Sequence, residues 1–495
     1  MSSAAARLIV AFSLASLAGC DLVPAYEPLS PAVPALFKSP QPAPGGRLGD
    51  DWPRAFGSAE LDRLMARFDA ENPTLAAAEA RFKRAQATLD LANSAFSPQV
   101  SLQPSLSDNK QSNDRPLRSK SQPNYYGANQ ILGQLTWELD LWGRVQNNVN
   151  AAQAGAEASR DQFDAIRTAL RASLARAYIA LRGADAQTAL LARTIVVYRA
   201  ALALTQQRLS GHIAPPIDVE RAKVQLANAQ AAAAETAQAR AVLENAVATL
   251  SGQPASEFRL AARPEKLSLP RLPRSAPSEL LQRRPDVAAA ERLLFAANQR
   301  IGAAKADFFP RFSLLLSGGT QDTGLNLTNL HNSLWSVGPS MIVPIFDGGA
   351  KQAVLEAARA DFSAAAADYR ASVLTAFEEV EDALASIRLL GQERAALAVA
   401  ATAARRAEDM TTNLYKDGAA SSLDLVTAQS AALDAQRAQI AVETRLLQQY
   451  VALSAALGGG WSGPAPAPKP AEAPALALLG PKGQDPALDS QAREK

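Results

Sequence analysis

The chain has 495 residues, 48% hydrophobic but only 6% aromatic, and its 50 basic and 48 acidic residues leave a net charge of +2. With no dense basic run and no aromatic residues interleaved with one, nothing points to nucleic acid. One cysteine excludes an internal disulfide, and two histidines far apart in sequence, His212 and His331, argue against zinc-type ligation, so neither a metal nor a cofactor is expected.

Residues 1–19 carry a lone Arg7 and then the apolar run Leu8 to Gly19, which reads as an export signal. At about 12 residues the run is too short to cross a bilayer as a helix, so any membrane span must be made of strands. Leu17-Ala18-Gly19-Cys20 resembles a bacterial lipobox, which implies cleavage before Cys20 and acylation, such as palmitate, on its thiol; an incidental cysteine is the bland alternative. Asp21 resembles the aspartate that marks inner-membrane retention in enterobacterial lipoproteins. Residues 20–57 hold prolines 24, 28, 31, 34, 40, 42, 44 and 53, which oppose helix and favour an extended strap, its end pinned by Trp52 and Phe56.

A first repeat is expected over 58–252. Ser58 precedes the helical pattern Leu61, Leu64, Met65, Phe68, Leu75, Ala78, Phe82, Leu89, broken only at Asn72-Pro73, so two helices should run to about Ala95. Val100, Leu102 and Leu106 then alternate with Ser101, Gln103, Ser105 and Ser107, as in a strand with one apolar face on which Pro104 is an irregularity. After a polar stretch from Asp108 to Asn124, a second such strand spans Gln130 to Leu141, antiparallel to the first. The proline-free run from Gly143 to Leu209 would be about 100 Å long as one helix. Phe163, Ile166, Leu170, Leu174, Ala177 and Leu181 step along it by threes and fours, as in a coiled-coil seam. Gly211, Pro215 and Pro216 break the rod, and a helix from Ile217 to about Leu250 folds back as a hairpin.

Residues 253–277, rich in proline and arginine and without periodicity, read as a hinge-like linker. A second repeat, 278–461, restarts the plan: a helix from Ser278 to Asp307, strands at Phe312–Leu316 and Trp335–Ile345 around a short loop, and a second rod from Gly348 to Leu414. Its seam is Tyr369, Val373, Phe377, Val380, Leu384 and Ile387. Phe96-Ser-Pro-Gln-Val-Ser-Leu102 matches Phe308-Phe-Pro-Arg-Phe-Ser-Leu314 at an offset of 308 − 96 = 212, and Ile217-Asp218 matches Leu423-Asp424 at 206, as expected of an internal duplication. Residues 462–495 cannot build a core and read as a disordered tail.

Four strands have the length to cross a bilayer but are too few to close a barrel, and bacterial single-chain barrels start at about eight. An exported chain with such strands and two long helical hairpins therefore implies an oligomer that pools strands into a barrel and helices into a tube. No phosphate loop, nucleophile elbow or metalloprotease helix motif is present, so the chain is not read as an enzyme.

Four separated motifs sharpen this reading: Leu281-Gln-Arg-Arg-Pro-Asp-Val287, Ile301-Gly-Ala-Ala-Lys-Ala-Asp-Phe-Phe-Pro310, Pro344-Ile-Phe-Asp-Gly-Gly349 and Ala456-Leu-Gly-Gly-Gly-Trp461. In this order they resemble the signatures of the outer membrane factor (TolC-like) family, most nearly its NodT-type efflux lipoproteins. The resemblance implies a mainly α fold with a membrane β-barrel: a homotrimer, four strands per chain in a twelve-stranded barrel, and a periplasmic tube of helical hairpins. It implies an outer membrane channel that takes substrates from a periplasmic adaptor (membrane fusion protein) and an inner-membrane pump of the resistance-nodulation-division type, and is anchored in outer membrane lipid. The alternatives are a channel for type I protein secretion and a structural coiled-coil lipoprotein spanning the periplasm.

By the same resemblance, Ser210, Gly211, Asp417 and Gly418 are hairpin-tip residues that meet the adaptor, ordinary glycine capping being the plain alternative. Tyr415 to Asp424 resembles the segment that forms a periplasmic gate: Asp424 matches the first ring aspartate, and Thr427 stands where many relatives carry a second. Ser421 and Asp424 also fit a capping box, which needs no gate.

Overall fold

The computed structural model describes residues 22–27, 34–40, 51–112, 114, 121, 123–271, 277–278, 283–461 and 463. The export signal, Cys20, Asp21 and the tail from residue 464 lie outside them. The chain divides into two compact units: a helical one within Met1–Asn93, Asp140–Phe312 and Met341–Gly463, and a stranded one within Ser94–Leu139 and Ser313–Ser340.

In the helical unit, a 3-10 turn at Trp52–Phe56 precedes α1 (Ala59–Glu71) and α2 (Pro73–Ser94). This turn departs from a wholly extended strap, because Pro53 suits a helical first turn and Gly57, at φ 72°, ends it. Trp52 and Phe56 are buried, and Ser58 caps α1 by accepting from the Leu61 amide. The long rods are α3 (Arg144–Ser210) and α6 (Ala350–Lys416), each of 67 residues; they fold back into α4 (Pro216–Leu250) and α7 (Ser422–Ala456), each of 35. Helix α5 (Pro285–Ala306) has the 22-residue length of α2. Pro277 and Ser278, where the helix was expected to begin, are helical, as is Arg283, and Arg284 takes the extended backbone that a following proline demands and so sets α5 apart.

Both seams are used. Leu174 and Leu181 are buried, with Phe163, Leu170 and Ala177 packed on the same core, and Tyr369, Val373, Val380 and Leu384 are buried on α6. One window of α3 is apolar enough by composition to cross a membrane, yet this helix packs on its neighbours here through Leu190, Leu191 and Tyr198. The stretch expected to be a hinge is instead bound to the core along 258–268. Phe258 and Leu260 are buried in it, Arg240 donates to the Leu260 carbonyl (2.7 Å) and Arg182 to the Ala261 carbonyl (3.0 Å). The physical reason is charge: Arg182 and Asp185 are buried and must find partners, and this segment supplies them.

The stranded unit has one four-stranded sheet in the order β1 (Gln99–Ser105), β4 (Asn129–Leu139), β5 (Arg311–Asp322), β6 (Ser333–Ile342). The polar stretch from Asp108 to Asn124 opens on a short antiparallel ribbon, in which β2 (Asp108–Lys110) pairs with β3 (Tyr125–Gly127) just beyond its end. Strand β5 runs past the expected loop at Gly318-Gly319, because an unsubstituted Cα at 319 lets β4 pass with its Ile131 carbonyl where a side chain would sit. Strand β6 stops short of Ile345, just before Pro344.

Candidate functional site

The expected functional residues of the helical unit cluster where the two hairpins turn. At the first turn, the Ile213 amide donates to the Arg208 carbonyl (2.8 Å) and the His212 amide to Leu209 (2.9 Å); at the second, Ala419 donates to Leu414 (2.8 Å) and Gly418 to Tyr415 (3.1 Å). These are two copies of one Schellman motif, whose pivot residue must be left-handed. Gly418 fills that position at φ 80°, but at the first turn His212 does so at φ 59°, while Gly211 is an ordinary residue at φ −82°. Ser210 is a surface residue whose hydroxyl donates to the Gln207 carbonyl (2.8 Å), and Asp417 is the cap of α6.

Tyr415 is not a surface residue. It is 3% exposed, its hydroxyl lies 3.1 Å from that of Thr205, and Arg208 stacks 4.2 Å from its ring while donating to its carbonyl at 2.6 Å. The three residues lock the turn of one hairpin to the rod of the other. Thr205 and Arg208 were not singled out in the sequence. Arg208 carried a weak signal as the basic residue of the last turn of α3.

Asp424 and Ser421 form the full capping box: the Asp424 amide donates to the Ser421 hydroxyl (3.2 Å), and the Asp424 carboxylate accepts from the Ser421 amide (3.0 Å) and hydroxyl (2.7 Å). The hydroxyl and amide of Ser421 hold this fully exposed carboxyl below the usual range. Thr427, also exposed, turns its hydroxyl back to the Leu423 carbonyl (2.8 Å). The cap is therefore present, and the carboxylate still reaches solvent.

Elsewhere on α3, Asp161 is 3% exposed, and its Oδ2 has no hydrogen-bond partner among the described residues. Burial, with repulsion from Asp164 added, raises its pKa to about 6. The strap beyond Cys20 runs antiparallel along α5: Val23 packs on Gly302, Asn298 donates to the Pro24 carbonyl (3.0 Å), and the Tyr26 hydroxyl donates to Glu291 (2.7 Å).

In the stranded unit, β1 and β4 pair antiparallel with Val100 opposite Leu135, Leu102 opposite Gly133 and Pro104 opposite Ile131. Ser101 faces Gln134, Gln99 faces Thr136, and Gln103 donates to Gln134 (3.1 Å). Directly opposed residues share a face, so the β1–β4 pair is apolar on one side and, apart from Leu132, polar on the other. Among the described residues, strands β1 and β6 each have one strand neighbour, which leaves both outer edges of the sheet unpaired.

A family model described as outer membrane efflux protein matches residues 64–253 and 276–459. The chain is 31% identical over 452 residues to the outer membrane protein OprJ of Pseudomonas aeruginosa, covering 90% of this chain and 94% of that one. It is 30% identical over 472 residues to the solvent efflux pump outer membrane protein SrpC of Pseudomonas putida, covering 91% and 97%. Among solved structures, the outer-membrane channel OprN superposes with a TM-score of 0.84 at 30% identity, over 90% of this chain and 100% of that one.

Proposed function

Because this chain belongs to the outer membrane efflux protein family, we propose that it is the outer membrane channel of a tripartite efflux system. In this role it passes substrates delivered by a periplasmic adaptor and an inner-membrane pump, of the resistance-nodulation-division type, to the outside. The observation that carries the reading is the sheet: four strands, of which the β1–β4 pair has one apolar face, with both outer edges unpaired among the described residues. Unpaired backbone cannot remain in hydrocarbon, and only a closed barrel removes it. Three copies pool twelve strands, within the range of bacterial barrels. Acylation of Cys20 anchors the chain to the same membrane, and the strap leads from that anchor onto α5.

The tips at Ser210, Gly211, Asp417 and Gly418 meet the adaptor. Tyr415, locked by Thr205 and Arg208, holds the two hairpins together there. One exposed Asp424 per copy rings the periplasmic mouth as a gate of reduced charge, since Thr427 adds none. Photo-crosslinking groups at Ser210 and Asp417 in cells should capture the adaptor encoded with the pump, and groups on the strands should not. Capture from the strands alone would overturn this assignment of the tips.

A further inference from the structure

The helical unit holds a recess apart from the hairpin tips. Helices α5 and α7 each pack on both rods, α3 and α6, and the recess lies between the rods where α7 ends and α5 begins. Its volume is about 610 Å³, and its floor is small and apolar: Ala169 and Ala172 of α3, Ala383 of α6, and Ala452 and Ala455 of α7. Alanine side chains are too short to close the space between two rods once the helix between them is interrupted, so the interruption leaves a hollow.

The recess opens away from the strap. On α6, Glu381 accepts from the strap amide of Ser39 (3.1 Å), and Asp382 and Glu379, which line the recess, stand about 100° and 160° around the helix from it. On α3, Asp164 accepts from Trp461 (3.1 Å), and the lining residues Ser173 and Arg176 stand about 180° and 120° away. In the channel proposed above, the strap leads from the acylated Cys20 and lies on the outside of the tube, so the opposite side, with the recess, faces the conduit.

The charges around the floor are unequal. Buried Arg284 is held by Asp286 at 2.6 Å and Glu379 at 2.5 Å, and it donates to the Ala456 carbonyl (3.2 Å). That last bond needs no charge: at the offsets relating the repeats its counterpart is the neutral Asn72, which donates to the Leu250 carbonyl (2.8 Å). One guanidinium with two carboxylates in place of an amide leaves this wall one negative charge in excess. Asp382 adds another, exposed and in no ion pair among the described residues. Only Arg176, on the α3 wall, offsets them. The positive end of α5 and the negative end of α7 meet here and oppose each other, so the side chains decide the sign. We infer that the recess is a binding site in the conduit wall for an apolar cation, a drug-sized molecule whose hydrocarbon body covers the alanines and whose positive charge meets Asp382 and Glu379. A cavity of this size, apolar with a few convergent polar groups, suits one small molecule. A neutral solute gains only the floor, and an anion is repelled by the carboxylates. The inference rests on the channel reading and gives the conduit a point of selectivity.

The test titrates ethidium, an aromatic dye with one permanent positive charge, into the full-length protein in lipid nanodiscs and follows fluorescence anisotropy, with empty nanodiscs subtracted. Fluorescein, an aromatic dye that is anionic at neutral pH, is the comparison. The wild-type protein should bind ethidium saturably and fluorescein far more weakly. Asp382 and Arg176 are exposed, so changing either leaves the packing intact. Asp382→Asn should weaken ethidium binding roughly two- to fivefold and Arg176→Gln should tighten it by a similar factor, as for a partly solvated ion pair. Ala169→Leu, which fills the recess, should abolish saturation; should that variant fail to insert, the two charge variants decide. A wild-type protein that conducts ions but binds no ethidium, binds both dyes alike, or keeps its affinity in Asp382→Asn and Arg176→Gln overturns the site and leaves the channel standing. A wild-type protein that conducts nothing overturns the channel and the site together.

Discussion

Asp161 shows at the scale of one residue how burial sets a charge. Its pKa of about 6 lies above the ordinary 3.8, so the folded chain gains stability by taking up a proton as pH falls from above 6 toward 4, and at neutral pH it carries a poorly solvated carboxylate. Asp161→Asn should raise stability at pH 7.5 by on the order of 1–2 kcal/mol and change it little at pH 4.5. Denaturation of both proteins at the two pH values checks this, and an equal shift at both would mean that shape, not charge, is responsible. No sequence pattern marks Asp161, because its burial comes from elements far along the chain. The same holds for Tyr415, whose partners Thr205 and Arg208 lie more than 200 residues away. The Ser421–Asp424 box, local by nature, was fully legible.

At the scale of elements, the rods could be read because one absence, proline, and one period, near 3.6, persist over 67 residues. The β2–β3 ribbon could not, since Asp108-Asn109-Lys110 has no apolar alternation and is held by pairing with Tyr125–Gly127. Nor could the binding of 258–268, which answers to buried charges elsewhere. The turns divide in the same way: glycine correctly marked Gly418, but at the first turn it pointed to Gly211, one residue before the true left-handed position. His212→Gly should relieve that backbone and stabilise the first tip by up to about 1 kcal/mol, whereas Gly418→Ala should cost the second about 1 kcal/mol or more. Hydrogen exchange of the tip amides, slower in one variant and faster in the other, would bear this out; changes of the same sign would contradict it.

For the whole molecule, the decisive facts are incompletenesses. The sheet has two unpaired edges, and α2 and α6 are far less buried than their equivalents α5 and α3. The proposed ring of three copies would answer both and enclose a conduit, and the proposal sets Asp424 at its mouth. Conduction across a membrane is the property this assembly must have. Single-channel recording of the purified full-length protein in a planar lipid bilayer should show discrete, long-lived conductance steps, larger and less sensitive to cation block in Asp424→Ala. Unchanged steps in that variant would remove Asp424 from the gate, and a folded, membrane-inserted protein that passes no ions in either form would contradict the channel itself.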